Sequence, residues 1–551
     1  KENVNTRNLS RKRYEMVLKI ENLTVRLPEG GDREFAIEDV TLNVEKGEIV
    51  CVVGESGSGK SVTAFTIMGL IPRKELTPVG GKILLEGDDL LTKDNAQMRK
   101  FRGSRIGMIF QEPMTALNPV MKVGKQIAEL LTIHTKLNEQ DRRKKIMDAM
   151  NAVKLPEPKK IYDAYPHQLS GGQRQRIMIA MALVLEPSLL IADEPTTALD
   201  VTTQAEVLSL VSEIQKSKGM GVLFITHDFG VVAEIADRVV VMQNGLVVEQ
   251  GTKDKILHSP EHPYTQMLIG SVPSLEPPDR SGQKIEDTKV VEMSAVYKTY
   301  GKTGIFGGGR LVKAVQDVSV ELFGGELVGI VGESGSGKST LARCLVRLID
   351  PTDGDITING KNISTLPPGP LRPYRSEFQI VFQDPYRSLN PRRTIEQSLI
   401  EGPMNFGMSK VDAISKAGEI LEIVGISPDA MGRFPHQFSG GQRQRICIAR
   451  AVVMEPKLIV ADEAVSALDV SVQKQVLDLF LDIRKRFGMA MLFITHDLRV
   501  AAQVCDRVVV MQHGKVVEQG KTTDVYNNPQ HPYTQDLLAA APGRDVKFNQ
   551  L

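Results

Sequence analysis

The stretch GESGSGKS occupies residues 54–61 and recurs letter for letter at residues 332–339. Each copy fits the pattern G-x-x-x-x-G-K-[ST], in which a glycine-rich loop turns its backbone N–H groups toward the phosphates of a nucleoside triphosphate. The two lysines of the pattern, Lys60 and Lys338, lie 278 residues apart. Because a repeat sets the unit of an architecture, the duplication indicates two nucleotide-binding domains on one chain.

The sequence downstream of each loop is repeated in the same order. The first copy reads FQEPMTALNP (110–119), LSGGQRQR (169–176), LLIADEPTTALD (189–200) and FITHD (224–228), and the second reads FQDPYRSLNP (382–391), FSGGQRQR (438–445), LIVADEAVSALD (458–469) and FITHD (493–497). From the SGGQ serine to the glutamate of the DE pair is 24 residues in each copy, and from that glutamate to the histidine is 33. Equal spacings indicate that the same site is built twice.

Composition limits the class of protein. The chain has 551 residues, 41% of them hydrophobic, and its 68 basic and 67 acidic residues leave a net charge of +1. That balance argues against nucleic-acid binding through a general basic field. The sequence contains no apolar run near the ~20 residues that a spanning helix needs. The four cysteines form no C-x-x-C pair, so we expect buried thiols rather than disulfides or a metal centre.

Short apolar runs mark the strands of an α/β fold. Ile49–Val53 and Leu327–Val331 lead into the glycine loops, and similar runs at Leu189–Ala192 and Leu458–Ala461 end at the DE pairs. Such continuous runs are typical of buried parallel strands. Residues 121–168 and 393–437 carry little strand signal and predict a helical insert in each copy.

These patterns divide the chain into five parts. We expect a disordered extension at 1–15, a first domain at 16–273, a linker rich in proline and charge at 274–289, a second domain at 290–543, and a tail at 544–551. Each domain closes with an HPYT segment (262–265 and 531–534), in which we expect a proline-started helix that packs on its own domain.

The motifs predict the chemistry of the sites. Residues of the two glycine loops are expected to cradle the triphosphate, namely Gly54, Glu55, Ser56, Gly57, Ser58, Gly59, Lys60, Ser61, Gly332, Glu333, Ser334, Gly335, Ser336, Gly337, Lys338, Ser339 and Thr340. Oxygen or amide groups expected at Mg²⁺ are those of Ser61, Gln111, Asp193, Ser339, Gln383 and Asp462.

Three further pairs of residues are expected to act on the attacking water and the outer phosphate. Glu194 and Glu463 follow the strand-ending aspartates and can accept a proton from water. His227 and His496 can donate to an oxygen of the γ-phosphate. Gln111 and Gln383 can touch both the metal ion and the water.

The SGGQ motif supplies a second anion cradle, since a serine and two glycines precede a helix. Its residues are Ser170, Gly171, Gly172 and Gln173 in the first copy, and Ser439, Gly440, Gly441 and Gln442 in the second. One triphosphate has no need of two cradles from one domain, unless the second cradle belongs to the ATP of a partner.

Glycine loop, Q-loop, LSGGQ, DE pair, ALD and His, in that order, resemble the ATP-binding cassette (ABC) ATPases over about 500 residues. The resemblance implies two tandem ABC-type P-loop domains, each with a RecA-like α/β core, an antiparallel β part and a helical signature subdomain. It also implies that Asp200 and Asp469 cross the interface of a head-to-tail sandwich. An aromatic residue would stack on adenine. Tyr300 fits in the second half, while Leu27 holds the aligned position in the first, where either Phe35 substitutes or the stacking is weaker.

The sequences after the Q-loop glutamine and the HPYT segments resemble the dipeptide/oligopeptide/nickel importer family, in particular its fused glutathione- and oligopeptide-type ATPases. The resemblance implies ATP and Mg²⁺ as cofactors, two transmembrane permease subunits and a periplasmic solute-binding protein as partners, and a peripheral place on the cytoplasmic face of a bacterial inner membrane. No iron–sulfur cluster is expected, since residues 262–290 and 531–551 lack cysteine. Two alternatives stay open, namely an exporter ATPase and a soluble tandem-cassette protein acting in translation or repair.

Overall fold

The computed structural model describes residues 16–30, 33–72, 75–112, 116–197, 199–280, 282, 285–301, 311–466, 468–546 and 548. The expected extension at 1–15, parts of the expected linker and tail, residues 113–115 after the first Q-loop glutamine, and the alanine of each ALD lie outside the described residues. The chain divides into two compact units. One contains residues up to Leu199 and Thr203–Ile269, and the other contains Asp200–Thr202 and residues from Gly270 onward.

A six-stranded sheet forms the centre of the first unit. Its strands, in spatial order, are Leu246–Thr252, Arg238–Gln243, Ile49–Val53, Gly221–Ile225, Leu189–Asp193 and Ile106–Ile109. All pair in parallel except the first, which is antiparallel to its neighbour. The strand before the glycine loop is buried along its whole length, as expected of a parallel strand covered on both faces.

An antiparallel sheet completes the β structure of the first unit. It consists of Phe35–Glu45, Met16–Arg26, Thr77–Leu85 and Asp88–Asp89. Buried and exposed residues alternate along its two longest strands, so one face packs on the core.

Helices cover the sheets of the first half of the chain. They are Lys60–Met68, Asn95–Phe101, Val123–His134, Glu139–Ala152, Pro158–Tyr162, Gly171–Leu183, Val201–Lys218, Phe229–Ile235, Lys253–His258 and Pro263–Gly270, with short 3₁₀ turns at Leu90–Thr92 and Pro166–Gln168. The helical insert expected at 121–168 is present as the run from Val123 to Gln168.

The second unit repeats this order. Its mainly parallel sheet consists of Phe378–Val381, Leu458–Asp462, Ala490–Ile494, Leu327–Val331, Arg507–Gln512 and Lys515–Lys521, and its antiparallel sheet of Val312–Phe323, Lys289–Tyr300, Asp353–Ile358 and Lys361–Asn362. Its helices are Lys338–Leu345, Pro368–Leu371, Pro385–Ser388, Ile395–Asn405, Lys410–Ile423, Gly440–Val452, Val470–Phe487, Leu498–Val504, Thr522–Asn527 and Pro532–Ala539, with 3₁₀ turns at Arg372–Ser376, Pro428–Gly432 and Pro435–Gln437. The predicted fold class, with a RecA-like core, an antiparallel part and a helical part in each half, is confirmed.

The segment between the repeats packs on the second unit. The amide of Gln503 donates to the carbonyl of Ser274 at 2.9 Å, and Arg280 lies 3.5 Å from the buried carboxylate of Asp506. The boundaries proposed for the domains and linker stay predictions. No helix in the described part of the chain is long and apolar enough to cross a membrane.

Candidate nucleotide sites

The geometry of each glycine loop explains why its first residue is glycine. Gly54 has φ 151°, and a Cβ there would lie 2.2 Å from the carbonyl oxygen of Met242. Gly332 has φ 146° and would meet the carbonyl oxygen of Met511 at the same distance. Any side chain would push the loop off the neighbouring strand, so the backbone can follow this path only without one.

The loop lysines are buried inside their own loops. Lys60 is 6% exposed, and its ammonium group donates to the carbonyl oxygens of Gly54 at 2.7 Å and Glu55 at 2.9 Å. Lys338 makes the equivalent bonds to Gly332 and Glu333, each at 2.8 Å. Each lysine therefore begins the helix behind the loop with its charge held where the outer phosphates of a nucleotide would lie.

The residues expected at Mg²⁺ meet in each unit. The hydroxyl of Ser61 donates to Asp193 at 3.0 Å, and that of Ser339 donates to Asp462 at 2.9 Å. Burial raises the pKa of Asp193 and Asp462. A hydroxyl and a carboxylate are the hard oxygen donors that Mg²⁺ prefers. Among the described residues no group of three or more His, Cys, Asp or Glu side chains is placed to hold a metal ion.

Glu194 is the centre of a polar cluster in the first unit. The amide of Gln111 and the hydroxyl of Thr197 donate to its Oε2 at 2.9 and 3.0 Å, and Nδ1 of His227 lies 3.3 Å from its Oε1. Burial favours a higher pKa for Glu194, but the hydrogen bond and charge of His227 outweigh it and lower the pKa to about 2. The carboxylate is therefore ionised near neutral pH.

Glu463 has the corresponding glutamine and histidine contacts in the second unit. Its Oε2 accepts from the amide of Gln383 at 2.9 Å and lies 3.5 Å from Nδ1 of His496. Its pKa is lowered, because the hydrogen bond and charge of His496 outweigh burial. Burial works against the charged form of His496, but Glu463 raises its pKa overall. The backbone φ of 46° at Glu194 and 51° at Glu463 is strained for a non-glycine residue, as is common at functional sites.

The SGGQ residues begin the signature helices. Ser170 caps Gly171–Leu183 by accepting the N–H of Gln173 at 3.2 Å, and Ser439 accepts that of Gln442 at 3.3 Å. A hydroxyl that accepts a backbone N–H still has its own proton to donate to an anion. A Cβ on Gly171 would meet no atom within 4 Å, so the start of the helix is open.

The residues expected to stack on adenine lie at the ends of strands of the antiparallel sheets. Tyr300 ends the strand Lys289–Tyr300 and is 38% exposed, with the ammonium of Lys298 5.2 Å from its ring centre. Phe35 begins the strand Phe35–Glu45 and is half-buried beneath the guanidinium of Arg26. The stacking role of both aromatic residues stays a prediction.

Three contacts to the glycine loops escaped the sequence motifs. Arg33 donates to the carbonyl of Gly57 at 2.7 Å, and the tyrosines of the HPYT segments contact the N–H groups of Glu55 and Glu333. The repeated HPYT sequence predicted a helix that packs on its own domain, but it did not predict a contact to the glycine loop. The arginine stands in a loop with no pattern of its own.

Two P-loops, each with a strand-ending Asp-Glu pair, a glutamine and a histidine on one sheet edge, define an ATP-binding cassette ATPase with two cassettes. Residues 37–197 and 315–466 match the family "ABC transporter", and residues 248–298 and 517–550 match "Oligopeptide/dipeptide transporter, C-terminal region". The chain belongs to the ABC transporter family. The predicted ATPase class and the resemblance to the oligopeptide-type family are confirmed.

Individual proteins resemble the chain over nearly its whole length. It is 47% identical over 557 residues to "Glutathione import ATP-binding protein GsiA" of Escherichia coli strain K12, covering 96% of this chain and 89% of that protein. The protein of the same name from Salmonella choleraesuis strain SC-B67 is 46% identical over 560 residues, with 96% and 90% covered. A solved structure of the ATP-binding cassette MJ0796 bound to ADP and Pi is 29% identical, covers 43% of this chain and 98% of that chain, and has a TM-score of 0.39.

Proposed function

We propose that this chain is the ATP-hydrolysing subunit of a membrane importer and that it drives the uptake of glutathione or another short peptide. The relatives that match over 96% of the chain are named glutathione import ATP-binding proteins. The match to an oligopeptide transporter region supports the importer over the exporter and over the soluble translation or repair factor. The transported solute is taken from those names alone.

The observation that carries the proposal is the carboxylate cluster present in both units. Gln111–Glu194–His227 and Gln383–Glu463–His496 have matching contacts. A carboxylate that is ionised and hydrogen-bonded by a glutamine can orient water and accept its proton. Two intact clusters support hydrolysis at two sites rather than one.

ATP binding would rearrange the lysines first. When phosphate oxygens reach the loop, the ammonium of Lys60 would keep its bond to the carbonyl of Gly54 and exchange the carbonyl of Glu55 for a phosphate oxygen, and the N–H groups of the loop would supply further donors. Bound Mg²⁺, held by Ser61 and Asp193 in one unit and by Ser339 and Asp462 in the other, would neutralise phosphate charge.

The histidine and the glutamate would then act on the γ-phosphate and on the attacking water, respectively. Once His227 donates to the γ-phosphate instead of Glu194, the carboxylate loses the partner that keeps its pKa near 2 and becomes a stronger base. His496 and Glu463 would act alike. We assign the serine hydroxyls at Ser170 and Ser439 to the γ-phosphate of the nucleotide on the opposite half, with the stacking aromatics on adenine.

The partners we propose are two permease subunits and a periplasmic solute-binding protein, with the chain peripheral on the cytoplasmic face of the membrane. We propose that a permease segment docks at a cavity of about 560 Å³ in the first unit, which is lined by both apolar and charged side chains. Ala149, Ala152 and Lys218 line it, and the equivalent positions of the second unit hold Ile420, Ile423 and Phe487. Those larger side chains belong to or pack against the core of the second helical part, so the two cassettes would suit different permease segments.

Uptake of labelled solute tests the proposal. Cells that lack this chain, supplied with the wild-type chain, are expected to take up labelled glutathione or a labelled dipeptide in an ATP-dependent manner. Cells supplied with the Glu194→Gln/Glu463→Gln variant are expected to lose uptake while making the same amount of protein. Equal uptake with and without the chain, for all such solutes, would overturn the importer assignment.

A further inference from the structure

The tyrosine of each HPYT segment reaches the glycine loop of its own unit. The hydroxyl oxygen of Tyr264 accepts the backbone N–H of Glu55 at 3.1 Å, and that of Tyr533 accepts the backbone N–H of Glu333 at 3.0 Å. The partners lie 209 and 200 residues apart in sequence. Because the same contact is made in both units across such separations, we infer that it contributes to the nucleotide site and is not incidental packing.

The peptide group that each tyrosine contacts also holds the loop lysine. The N–H of Glu55 and the carbonyl of Gly54 belong to one planar peptide, and that carbonyl accepts from Lys60 at 2.7 Å. In the second unit the carbonyl of Gly332 accepts from Lys338 at 2.8 Å. A rigid peptide therefore links the tyrosine hydroxyl on one side to the phosphate-binding ammonium on the other.

Hydrogen bonds hold each HPYT segment in place, and this fixes the direction in which its tyrosine side chain points. The carboxylate of Glu249, on the strand Leu246–Thr252, accepts the N–H groups of Glu261 and His262 at 2.8 and 3.1 Å. The ring of His262 then accepts the N–H of Tyr264 at 3.2 Å.

The second unit repeats each of these bonds. Glu518 accepts the N–H groups of Gln530 and His531 at 2.8 and 3.0 Å, and His531 accepts that of Tyr533 at 3.2 Å. The letters H, P and Y thus have separate tasks: the histidine caps the helix, the proline starts it, and the tyrosine points to the loop.

The hydroxyl stays protonated in this place. Tyr264 and Tyr533 are 6% and 8% exposed, and burial raises the pKa of Tyr533 to about 12. A neutral hydroxyl accepts the peptide N–H and keeps a proton to donate, and in the first unit Oε2 of Glu55 lies 3.3 Å away as its acceptor. Because the N–H of Glu55 is taken by the tyrosine, this N–H is bound within the protein rather than directed to a phosphate.

We propose that Tyr264 and Tyr533 are positioning residues for the phosphate-binding lysines, through which each HPYT segment sets the ATP affinity of its own cassette. The proposal rests on the assignment of ATP to these loops. A loop whose first peptide is already fixed loses less conformational freedom when the triphosphate binds, so the contact favours binding without touching the reacting atoms.

The test is the double variant Tyr264→Phe/Tyr533→Phe of the full chain, which removes two oxygens and keeps the rings. The loss of a hydrogen bond at each loop predicts that KM for ATP rises roughly 2- to 10-fold with kcat little changed, while the melting midpoint falls because two buried N–H groups lose their acceptors. Glu249→Gln/Glu518→Gln, which loosens the anchor, is expected to raise KM in the same direction.

The matched control is Tyr526→Phe. Tyr526 is a tyrosine of the same C-terminal region whose hydroxyl donates to the carbonyl of Leu498 at 2.7 Å, away from the glycine loop. Loss of this hydrogen bond is expected to lower the melting midpoint and to leave KM for ATP unchanged.

If the double phenylalanine variant has the KM of the wild type, or if the control raises KM equally, the positioning role is refuted. A wild-type chain that does not hydrolyse ATP would instead refute the proposed function.

Discussion

Ser61 donates its hydroxyl to the carboxylate of Asp193 at 3.0 Å, although the two residues stand 132 positions apart in the chain. Ser61 lies at the start of the helix behind the glycine loop, and Asp193 ends a buried parallel strand. The same pair, Ser339 and Asp462, lies 2.9 Å apart in the second unit. A hydroxyl and a carboxylate held this closely can supply two ligands of an octahedral Mg²⁺ ion, which leaves the other positions for phosphate oxygens and water.

The first prediction concerns that pair of ligands. Ser61→Ala/Ser339→Ala is expected to raise the Mg²⁺ concentration needed for half-maximal ATP hydrolysis by about 10–100-fold, since one oxygen donor is lost at each site. The measurement is a Mg²⁺ titration at saturating ATP. Thr63→Val serves as control, because Thr63 lies on the same helix and its hydroxyl donates to the carbonyl of Gly59 at 3.0 Å. A titration midpoint that does not move would exclude the serines as metal ligands.

The second prediction concerns the glutamates. Glu194→Gln/Glu463→Gln is expected to lower ATP turnover by at least ~100-fold while ATP still binds, because a neutral amide cannot accept the proton of water. Single-turnover hydrolysis and equilibrium binding of labelled ATP separate the two effects. Glu186→Gln is the control, since Glu186 also has positive φ but pairs with Lys218 at 2.7 Å. Turnover that persists in the double variant would remove both glutamates from the mechanism.

The third prediction is a pH dependence of the pair His496–Glu463. The pKa of His496 is raised above 6.5, so its stabilising contribution is complete below pH 6.5 and is lost as pH rises through the raised value. The pKa of Glu463 is lowered below 4.5, so its contribution is complete above pH 4.5 and is lost as pH falls through the lowered value. The two contributions overlap fully between pH 4.5 and 6.5.

Melting curves measure this dependence. The midpoint for the second unit in Glu463→Gln is expected to lie about 2–4 °C below that of the wild type between pH 4.5 and 6.5, which corresponds to about 1 kcal/mol. The difference should shrink as pH rises beyond 6.5. A difference that is constant from pH 5 to 9 would show that the pair contributes no charge-dependent stability.

Periodicity and motif spacing predicted much of this structure, because the strands that carry the chemistry are buried on both faces. Ile49–Val53 and Leu327–Val331 have the bounds that their apolar runs predicted. The helical inserts also lie where strand signals are lacking. In each unit the serine, the aspartate, the glutamate and the histidine meet at the carboxyl ends of neighbouring parallel strands, as the order of the motifs requires.

Contacts that depend on tertiary packing could not be read in this way. The link from Tyr264 to Glu55 spans 209 residues and joins two segments with unrelated periodicities. The cavity beside Ala149 and Ala152 is lined by residues of three helices that lie far apart in the sequence, so no local pattern predicts it. The matching helices of the two units, Glu139–Ala152 and Lys410–Ile423, place Ile420 and Ile423 where the first unit has these alanines.

The last prediction tests that cavity as a permease seat. Ala152 is exposed and lines the cavity, so Ala152→Trp fills the space from outside and is expected to weaken permease association roughly 10-fold, since a side chain forced into an occupied space destabilises by about 1–3 kcal/mol. ATP hydrolysis by the isolated chain should stay near that of the wild type, because the change lies outside the carboxylate clusters. Asn151→Trp is the control, because Asn151 is exposed on the same helix and does not line the cavity.

Ala152→Cys tests the same docking site by chemical labelling. The four native cysteines are buried, so the new thiol should react with maleimide in the isolated chain and be protected in the complex with the permeases. Equal labelling in both states would show that the permease docks elsewhere.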